Sequence, residues 1–358
     1  MSQSIYRKLQ EVLDTLPNGF PATESGVEIK LLQKIFTEED AELFCNLKLR
    51  LETPEQIAGR LGLDEKDVAA KLYVMWKKGQ VFMVDFGVTK LYRMMPWAFG
   101  IYEFQIDRMD EEFARLSEEY LEFGKQFFKL KPQLMLVVPV EQEIKGRQEA
   151  MPYEKVSYII EHGKSFAVNT CICKKEKDIL GHGCDKPREV CMAIAPVPGV
   201  FENHVWGRVI SKEEAYEILK KAEDAALVHL AWNIQGGQYF ICNCCGCCCG
   251  VLRAINEYGV RDAVNSNFYA RIDPDLCAAC GTCAEQRCQV GAISVSGDAY
   301  AVVPEKCIGC GLCLSTCPTE AISFVRKDAK DILVPPKNED EWYDARAAAR
   351  GVDFSKFK

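Results

Sequence analysis

Residues 241–250 read ICNCCGCCCG, which places six cysteines in ten positions. Neighbours such as Cys244-Cys245 or Cys247-Cys248-Cys249 are poor disulfide partners, because a disulfide needs Cα atoms about 4.4–6.8 Å apart and converging Cβ vectors. The other cysteines are gathered in the same part of the chain: of nineteen, only Cys45 falls outside residues 171–317. Cys45 sits in AELFCNLKL among apolar residues at helical spacing and reads as a small buried hydrophobe. Thiols crowded in this way point to metal ligation or redox work, so the fold must be organised around sulfur.

The chain has 358 residues, 48% of them hydrophobic, enough for two or three domains with real cores. The opening MSQSIYRKLQEVLDTL reads as an amphipathic helix with none of the apolar block of a signal peptide. The most apolar run, LMLVVPV at 134–140, has the length of one buried strand and not of a membrane span. These features place the chain in the cytoplasm, where disulfides seldom persist and clustered thiols serve metals. A net charge of −8 argues against wholesale nucleic-acid binding and suits a partner with a basic docking face.

A duplication closes the cysteine-rich part. Cys277, Cys280 and Cys283 in CAACGTCAEQRCQVGAI recur 30 residues later as Cys307, Cys310 and Cys313 in CIGCGLCLSTCPTEAI, and Cys288 recurs 29 later as Cys317. Pairs spaced C-x2-C also bind zinc, but eight thiols at doubled spacing favour iron-sulfur. The second unit, C-x2-C-x2-C-x3-C-P, resembles the bacterial two-cluster ferredoxins, and the first is its C-x2-C-x2-C-x4-C variant. In that family the fourth cysteine of each run ligates the other cluster. The resemblance therefore implies one 4Fe-4S cluster on Cys277, Cys280, Cys283 and Cys317, and a second on Cys307, Cys310, Cys313 and Cys288. Small residues such as Gly281 and Gly311 would let the backbone approach the sulfides. The first unit departs at Gln289, where the second has Pro318, and in one extra residue among 284–287 that must bulge. The resemblance covers about 268–327, with YARID, YAVVP and AISFV as short pairing strands.

Ten further cysteines precede it: Cys171, Cys173, Cys184 and Cys191, then Cys242, Cys244, Cys245, Cys247, Cys248 and Cys249. Cys242, Cys245 and Cys248 themselves form C-x2-C-x2-C. They are expected to hold one face of a further 4Fe-4S cluster, completed by Cys184 or Cys191. Cys244 and Cys247, with Cys249 or the Cys171/Cys173 pair, would hold another. One cluster with spare or zinc-bound thiols is the alternative, and an unusual cluster or a thiol switch the third. Gly246 and Gly250 supply backbone freedom there. Residues 211–233 read as one long helix opened by a Ser211/Glu214 capping box. Among the histidines, His182 is a minor candidate ligand, His204 and His229 read as hydrogen-bonded structural residues and His162 as a surface one. Lys174, Lys175, Lys186, Arg188 and Arg253 lie near the thiols, to tune potential, dock a partner or simply be solvated.

Residues 53–79, TPEQIAGRLGLDEKDVAAKLYVMWKKG, have the pattern of a helix-turn-helix, with Pro54 opening the first helix and Gly62 in the turn. VFMVDFGVTKLYRM then alternates as a hairpin wing. The first hundred residues carry about as many acidic as basic side chains, and only Lys77, Lys78 and Arg93 are placed to help bind phosphates. Protein docking or homodimerisation is thus preferred to DNA binding. A helix over 110–130 carrying Phe113, Tyr120, Phe123, Phe127 and Phe128 reads as a packed arm.

The whole layout resembles the large 4Fe-4S dicluster ferredoxins of anaerobes. It implies an α+β chain with a winged-helix-like module (1–100), a helical linker arm (101–150), a cysteine-rich cluster-binding domain (151–265), a two-cluster ferredoxin domain (266–327) and a C-terminal tail (328–358). The tail should hold one short helix around 339–350. No dinucleotide fingerprint, phosphate loop, nucleophile elbow or Cys-x3-Cys-x2-Cys run is seen, so no flavin or nicotinamide site is expected. The expected function is a polyferredoxin-like carrier passing single electrons between oxidoreductases or flavoproteins, through two ferredoxin-type clusters and one or two more. A redox-responsive DNA-binding regulator and an electron-transfer subunit of a multisubunit reductase are the alternatives.

Overall fold

The computed structural model describes residues 4–124, 127–140, 150–204 and 206–358 and is a mixed α+β structure. Five helices come first: α1 (Ile5–Thr15), α2 (Val27–Ile35), α3 (Glu38–Phe44), α4 (Pro54–Leu61) and α5 (Glu65–Lys77). Their starts are written in the sequence. Thr37 and Thr53 close capping boxes with Asp40 and Gln56, Pro54 takes the first position of α4, and Asp64 caps α5. Gly62, at φ 69°, ends α4 in the left-handed conformation that a side chain would disfavour. Val68, Leu72, Met75 and Trp76 form the buried stripe of α5. An antiparallel hairpin follows, β1 (Val81–Asp85) with β2 (Lys90–Met94). Asp40 is fully buried; burial opposes its charge, yet Lys78, Lys71 and Gln80 together hold its carboxyl well below the usual range.

After α6 (Glu111–Gly124) comes a seven-stranded sheet that positions the thiols. Its strands are β3 (Met135–Val137), β4 (Ser165–Thr170), β5 (Glu189–Ala195), β6 (Arg208–Ile210), β7 (Val228–Trp232), β8 (Phe240–Cys244) and β9 (Val264–Asn265). Their order is β6-β4-β5-β8-β7-β3-β9, antiparallel throughout except for the parallel β3–β9 pair. One face packs on α7 (Val156–His162) and α9 (Lys212–Asp224), through Val156, Ile159, Ile160, Ala215, Ile218 and Leu219. The other face joins a core that also takes Leu9 and Leu13 of α1, Leu252 of α10 (Gly250–Asn256) and Trp342 of α11 (Glu339–Arg350). The chain ends thus meet: Arg350 pairs with Asp14 at 2.7 Å, and Arg346 donates to the carbonyls of Pro17, Leu130 and Pro132.

Two expected helices are shorter than their patterns. The helix expected over 211–233 stops at Asp224; Ala226 turns at φ 58°, and the run VHLAW that follows becomes β7, a fully buried interior strand of the sheet. Ser211 caps it by accepting from the Glu214 amide, but the Glu214 carboxylate pairs with Arg208. The helix expected over 110–130 ends at Gly124 among the described residues, with a single 3-10 turn at Phe127–Lys129; the Phe127 side chain lies outside them. No helix among the described residues is long and apolar enough to cross a membrane.

The duplicated segment folds as two small antiparallel pairs: β10 (Phe268–Ile272) with β13 (Ile322–Arg326), and β11 (Ile293–Ser296) with β12 (Ala299–Val302).

A candidate multi-thiol metal centre

The eight duplicated cysteines divide between two cavities in crossed fashion. Cys277, Cys280, Cys283 and Cys317 line one, with Thr282, Tyr300 and Thr319. Cys288, Cys307, Cys310 and Cys313 line the other, walled by Ala270, Val290, Ala292 and Ile293. The extra residue of the first unit is absorbed as expected of a bulge. Residues Cys283–Arg287 wind one π turn, closed by the Cys288 amide on the Cys283 carbonyl at 3.0 Å, where the second unit makes a 3-10 turn at Leu314–Thr316. Main-chain amides aim at sulfur: Ala270 N lies 3.4 Å from Cys307 Sγ and Ala292 N 3.2 Å from Cys288 Sγ. The two cavities differ in depth. Cys280 is exposed, and the Thr282 amide draws its thiol down; burial pushes Cys310 up to about 12. Soft all-thiolate donors, amides directed at sulfur and an apolar wall suit an iron-sulfur cluster in each cavity.

The ten central cysteines form two groups, divided differently from the C-x2-C-x2-C reading. Side chains alternate along β8, so Cys242 and Cys244 share a face, opposite Leu230 and Val228 of β7. A turn then carries Cys245, Cys247 and Cys248 to the other side, where Cys184 meets them. The four sulfurs lie within 4.8 Å of one another. Cys242 therefore does not join Cys245 and Cys248, nor does Cys247 join Cys244. Instead Cys171, Cys173, Cys191, Cys242, Cys244 and Cys249 line one cavity of about 160 Å3, with Cys248 in its wall. That volume is far more than the roughly 10–15 Å3 a single water needs.

In this cavity each thiol acts on the next. Hydrogen bonding from Cys173 and Cys191 draws Cys171 well below its ordinary value. Cys173, Cys191, Cys242, Cys244 and Cys249 are pushed well above theirs, first by sharing protons with neighbouring sulfurs and then by burial. A bound metal would displace those protons. Lys174 is buried between the two groups; burial works against its charge, but the sulfurs of Cys171, Cys245, Cys191 and Cys244 outweigh it. Its ammonium donates to the Asn243 carbonyl at 3.3 Å, and the Asn243 side chain bonds His229 and the Val190 carbonyl. His229 is thus hydrogen-bonded within the sheet, and His182 is not among the residues of either group.

Of the other cations near the thiols, Lys186 donates to the Ala225 carbonyl and Lys175 to that of Ile106, while Arg188 grips Asp178. Arg253 and Lys177 both pair with Glu118, at 2.7 Å, tying α6 and α10 to α8 (Ile172–Ile179) over the six-thiol cavity. Glu118 had no motif to announce it.

Gln289, the departure from the ferredoxin pattern, is where the regions meet. The Gly246 amide donates to Gln289 Oε1 at 3.0 Å, and Asn256 Nδ2 bridges the carbonyls of Gly246 and Gln289. The two chains are so close that a Cβ on Gly246 would stand 2.2 Å from the Gln289 carbonyl oxygen. Cys245 and Cys247 thus flank one side of a hydrogen bond whose other side is flanked by Cys288.

Residues 270–324 match the family model of the 4Fe-4S dicluster domain. No curated protein matches the chain. The match and the central cysteine cluster support iron-sulfur electron transfer as the function class.

Proposed function

We propose that the chain is a polyferredoxin-like electron carrier of the cytoplasm. In this reading Cys277, Cys280, Cys283 and Cys317 hold one 4Fe-4S cluster, Cys288, Cys307, Cys310 and Cys313 a second, and thiols of the six-membered set a third. Each such cluster would take up and release one electron at a time. The observation that carries the proposal is the contact between Gly246 and Gln289, which joins the thiol-rich loop to the chain beside Cys288. The chain's own contribution is a gradient of exposure: an exposed thiol, Cys280, at the outer cavity, half-buried and buried thiols at the next, and beyond them six thiols of which none is exposed. An exchange partner would dock at the outer cavity. Its identity determines whether the chain is a free carrier or a permanent reductase subunit.

The first hundred residues serve docking in this reading, as a winged-helix-like module. Two of the three cations placed to bind phosphates are already engaged, Lys78 with buried Asp40 at 2.8 Å and Arg93 with Glu339 at 3.3 Å, which speaks against DNA. Iron and acid-labile sulfide are to be measured on anaerobically purified protein, with electron paramagnetic resonance after dithionite. About twelve irons per chain and interacting reduced clusters are expected. Negligible iron with stoichiometric zinc would sink the electron-transfer reading.

A further inference from the structure

The quartet Cys184, Cys245, Cys247 and Cys248 has a geometry unlike that of every other thiol group in the molecule. Sulfur separations within it are 3.7 Å for Cys248–Cys184, 3.7 Å for Cys247–Cys248 and 4.0 Å for Cys184–Cys245. A metal bound by four thiolates at about 2.3 Å in a tetrahedron sets the sulfurs about 3.8 Å apart. A cubane places each thiolate on a different iron and so spreads the sulfurs by roughly the width of the cube. Among the described residues no other three cysteines have sulfurs all within 4.8 Å, including those of the two ferredoxin-type cavities and the six-thiol cavity.

We infer that these four cysteines bind one tetrahedral thiophilic divalent ion, zinc or a sulfide-free iron, rather than a fourth cubane. The site stands on its own geometry and does not depend on the electron-transfer reading. The ion would join two irregular pieces of chain, the loop between α8 and β5 and the turn after β8. Cys184 arrives on the loop between α8 and β5, where His182, Gly183 and Asp185 are exposed and no apolar side chain enters the core between Leu180 and Val190. A loop without a hydrophobic anchor is where a structural metal contributes most. Cys245, Cys247 and Cys248 arrive on the turn after β8, the same turn that presents Gly246 to Gln289. The ion would therefore fix the loop on which the two cluster regions meet.

The surroundings suit a doubly negative tetrathiolate. Lys174 lies buried on one side, and Arg188 Nη1 reaches to 4.0 Å from Cys184 Sγ on the other while held by Asp178. The quartet is also not deeply enclosed, since Cys247 is exposed and Cys184 half-buried, so an ion could enter without unfolding the sheet.

The test uses the full chain, purified without oxygen and analysed for zinc, iron and acid-labile sulfide, wild type beside Cys184→Ser and Cys247→Ser. Each variant should lose one metal ion per chain and no sulfide, with the brown cluster absorption unchanged. Loss of zinc identifies a zinc site and loss of iron alone a rubredoxin-like one; both support the proposal. Loss of about four irons with four sulfides would overturn it in favour of a cubane, as would unchanged metal content. Should both variants fail to fold, X-ray absorption on the wild-type protein decides. At the zinc edge, or at the iron edge as a sulfide-free fraction, four sulfurs at about 2.3 Å without an iron neighbour are expected. A protein whose zinc is negligible and whose iron all has iron neighbours would refute the site.

Discussion

The duplicated segment and the central thiol region use the same two-residue cysteine intervals and obtain opposite results. In the duplicated segment the first two cysteines of each unit sit on an irregular loop and the third at the start of a short turn, so all three curl around one cavity and the fourth crosses to the other. In the central region the C-x2-C-x2-C series begins on a strand. Alternation fixes Cys242 and Cys244 to one face before the turn releases Cys245, Cys247 and Cys248 to the other. Equal spacing gathers ligands only where the backbone has no regular period of its own.

The largest effect expected from this comparison is separability. Cys244→Ala should remove the cluster proposed for the six-thiol cavity, about four irons and four sulfides, and leave the ferredoxin-type signals intact. Cys313→Ala should do the reverse, losing one ferredoxin-type cluster and sparing the one proposed for the six-thiol cavity. Iron and sulfide analysis with electron paramagnetic resonance reads both. If either change emptied both regions, the two would be one assembly and the contrast would fail.

The same comparison explains what could be read beforehand. The spacing of the duplicated cysteines marks loops that wrap a cluster, their crossed pairing is what the resemblance to two-cluster ferredoxins implies, and the extra residue in 284–287 is taken up by the π turn at Cys283–Arg287. In ICNCCGCCCG the cysteines are so dense that every spacing is present, and the choice among them depends on where β8 ends, a tertiary fact. His229 and the rest of VHLAW read as helix because the periodicity of α9 runs smoothly into them; the helix is closed by left-handed Ala226 and by the Leu227 amide on the Ala222 carbonyl at 2.9 Å, and no glycine or proline marks the stop. Gln289 was visible only as a departure, since its partner Gly246 is 43 residues away.

Breaking the seam between the regions should have the next largest effect. Gly246→Ala forces a Cβ to 2.2 Å from the Gln289 carbonyl, so the loops must part. A cost of about 1–3 kcal/mol is expected, with slower oxidation of the cluster proposed for the six-thiol cavity by an acceptor that works at Cys280, followed by stopped-flow absorbance. Gln289→Pro, which copies the second unit, removes the Oε1 acceptor together with the Nε2 donor to the Arg287 carbonyl and should cost about 1 kcal/mol. Equal electron-transfer rates in Gly246→Ala and wild type would show that the seam carries no current.

A smaller effect concerns pH. His204 is packed among the rings of Trp76, Phe82, Phe104 and Phe201, and burial lowers its pKa to about 4 from 6.5. The unfolded chain therefore binds more protons between these values, and stability falls as pH drops from 6.5 toward 4. Between pH 6.5 and 5.5 the loss should be about 1 kcal/mol, seen in denaturant unfolding and absent in His204→Phe. An identical pH slope in the variant would assign it to other groups.

The smallest prediction compares the two units directly. Ala279 and Gly309 occupy equivalent positions in the first ligand loops, and both are left-handed, at φ 50° and 59°. At Gly309 a side chain is excluded outright, since a Cβ would stand 2.2 Å from the Phe268 carbonyl oxygen. At Ala279 a methyl group is tolerated, but the backbone carries the cost of a left-handed non-glycine residue, about 1 kcal/mol or more. Glycine removes that cost and adds unfolded-state entropy, so Ala279→Gly should stabilise the loop by no more than about 1 kcal/mol. Gly309→Ala, in contrast, should destabilise its loop by several times that amount and release the cluster proposed for Cys288, Cys307, Cys310 and Cys313 first on warming. Thermal bleaching of the cluster absorption, measured anaerobically for both variants, tests the pair. Equal and opposite shifts would mean that the two loops are strained alike, and that the crowding at Phe268 does not distinguish them.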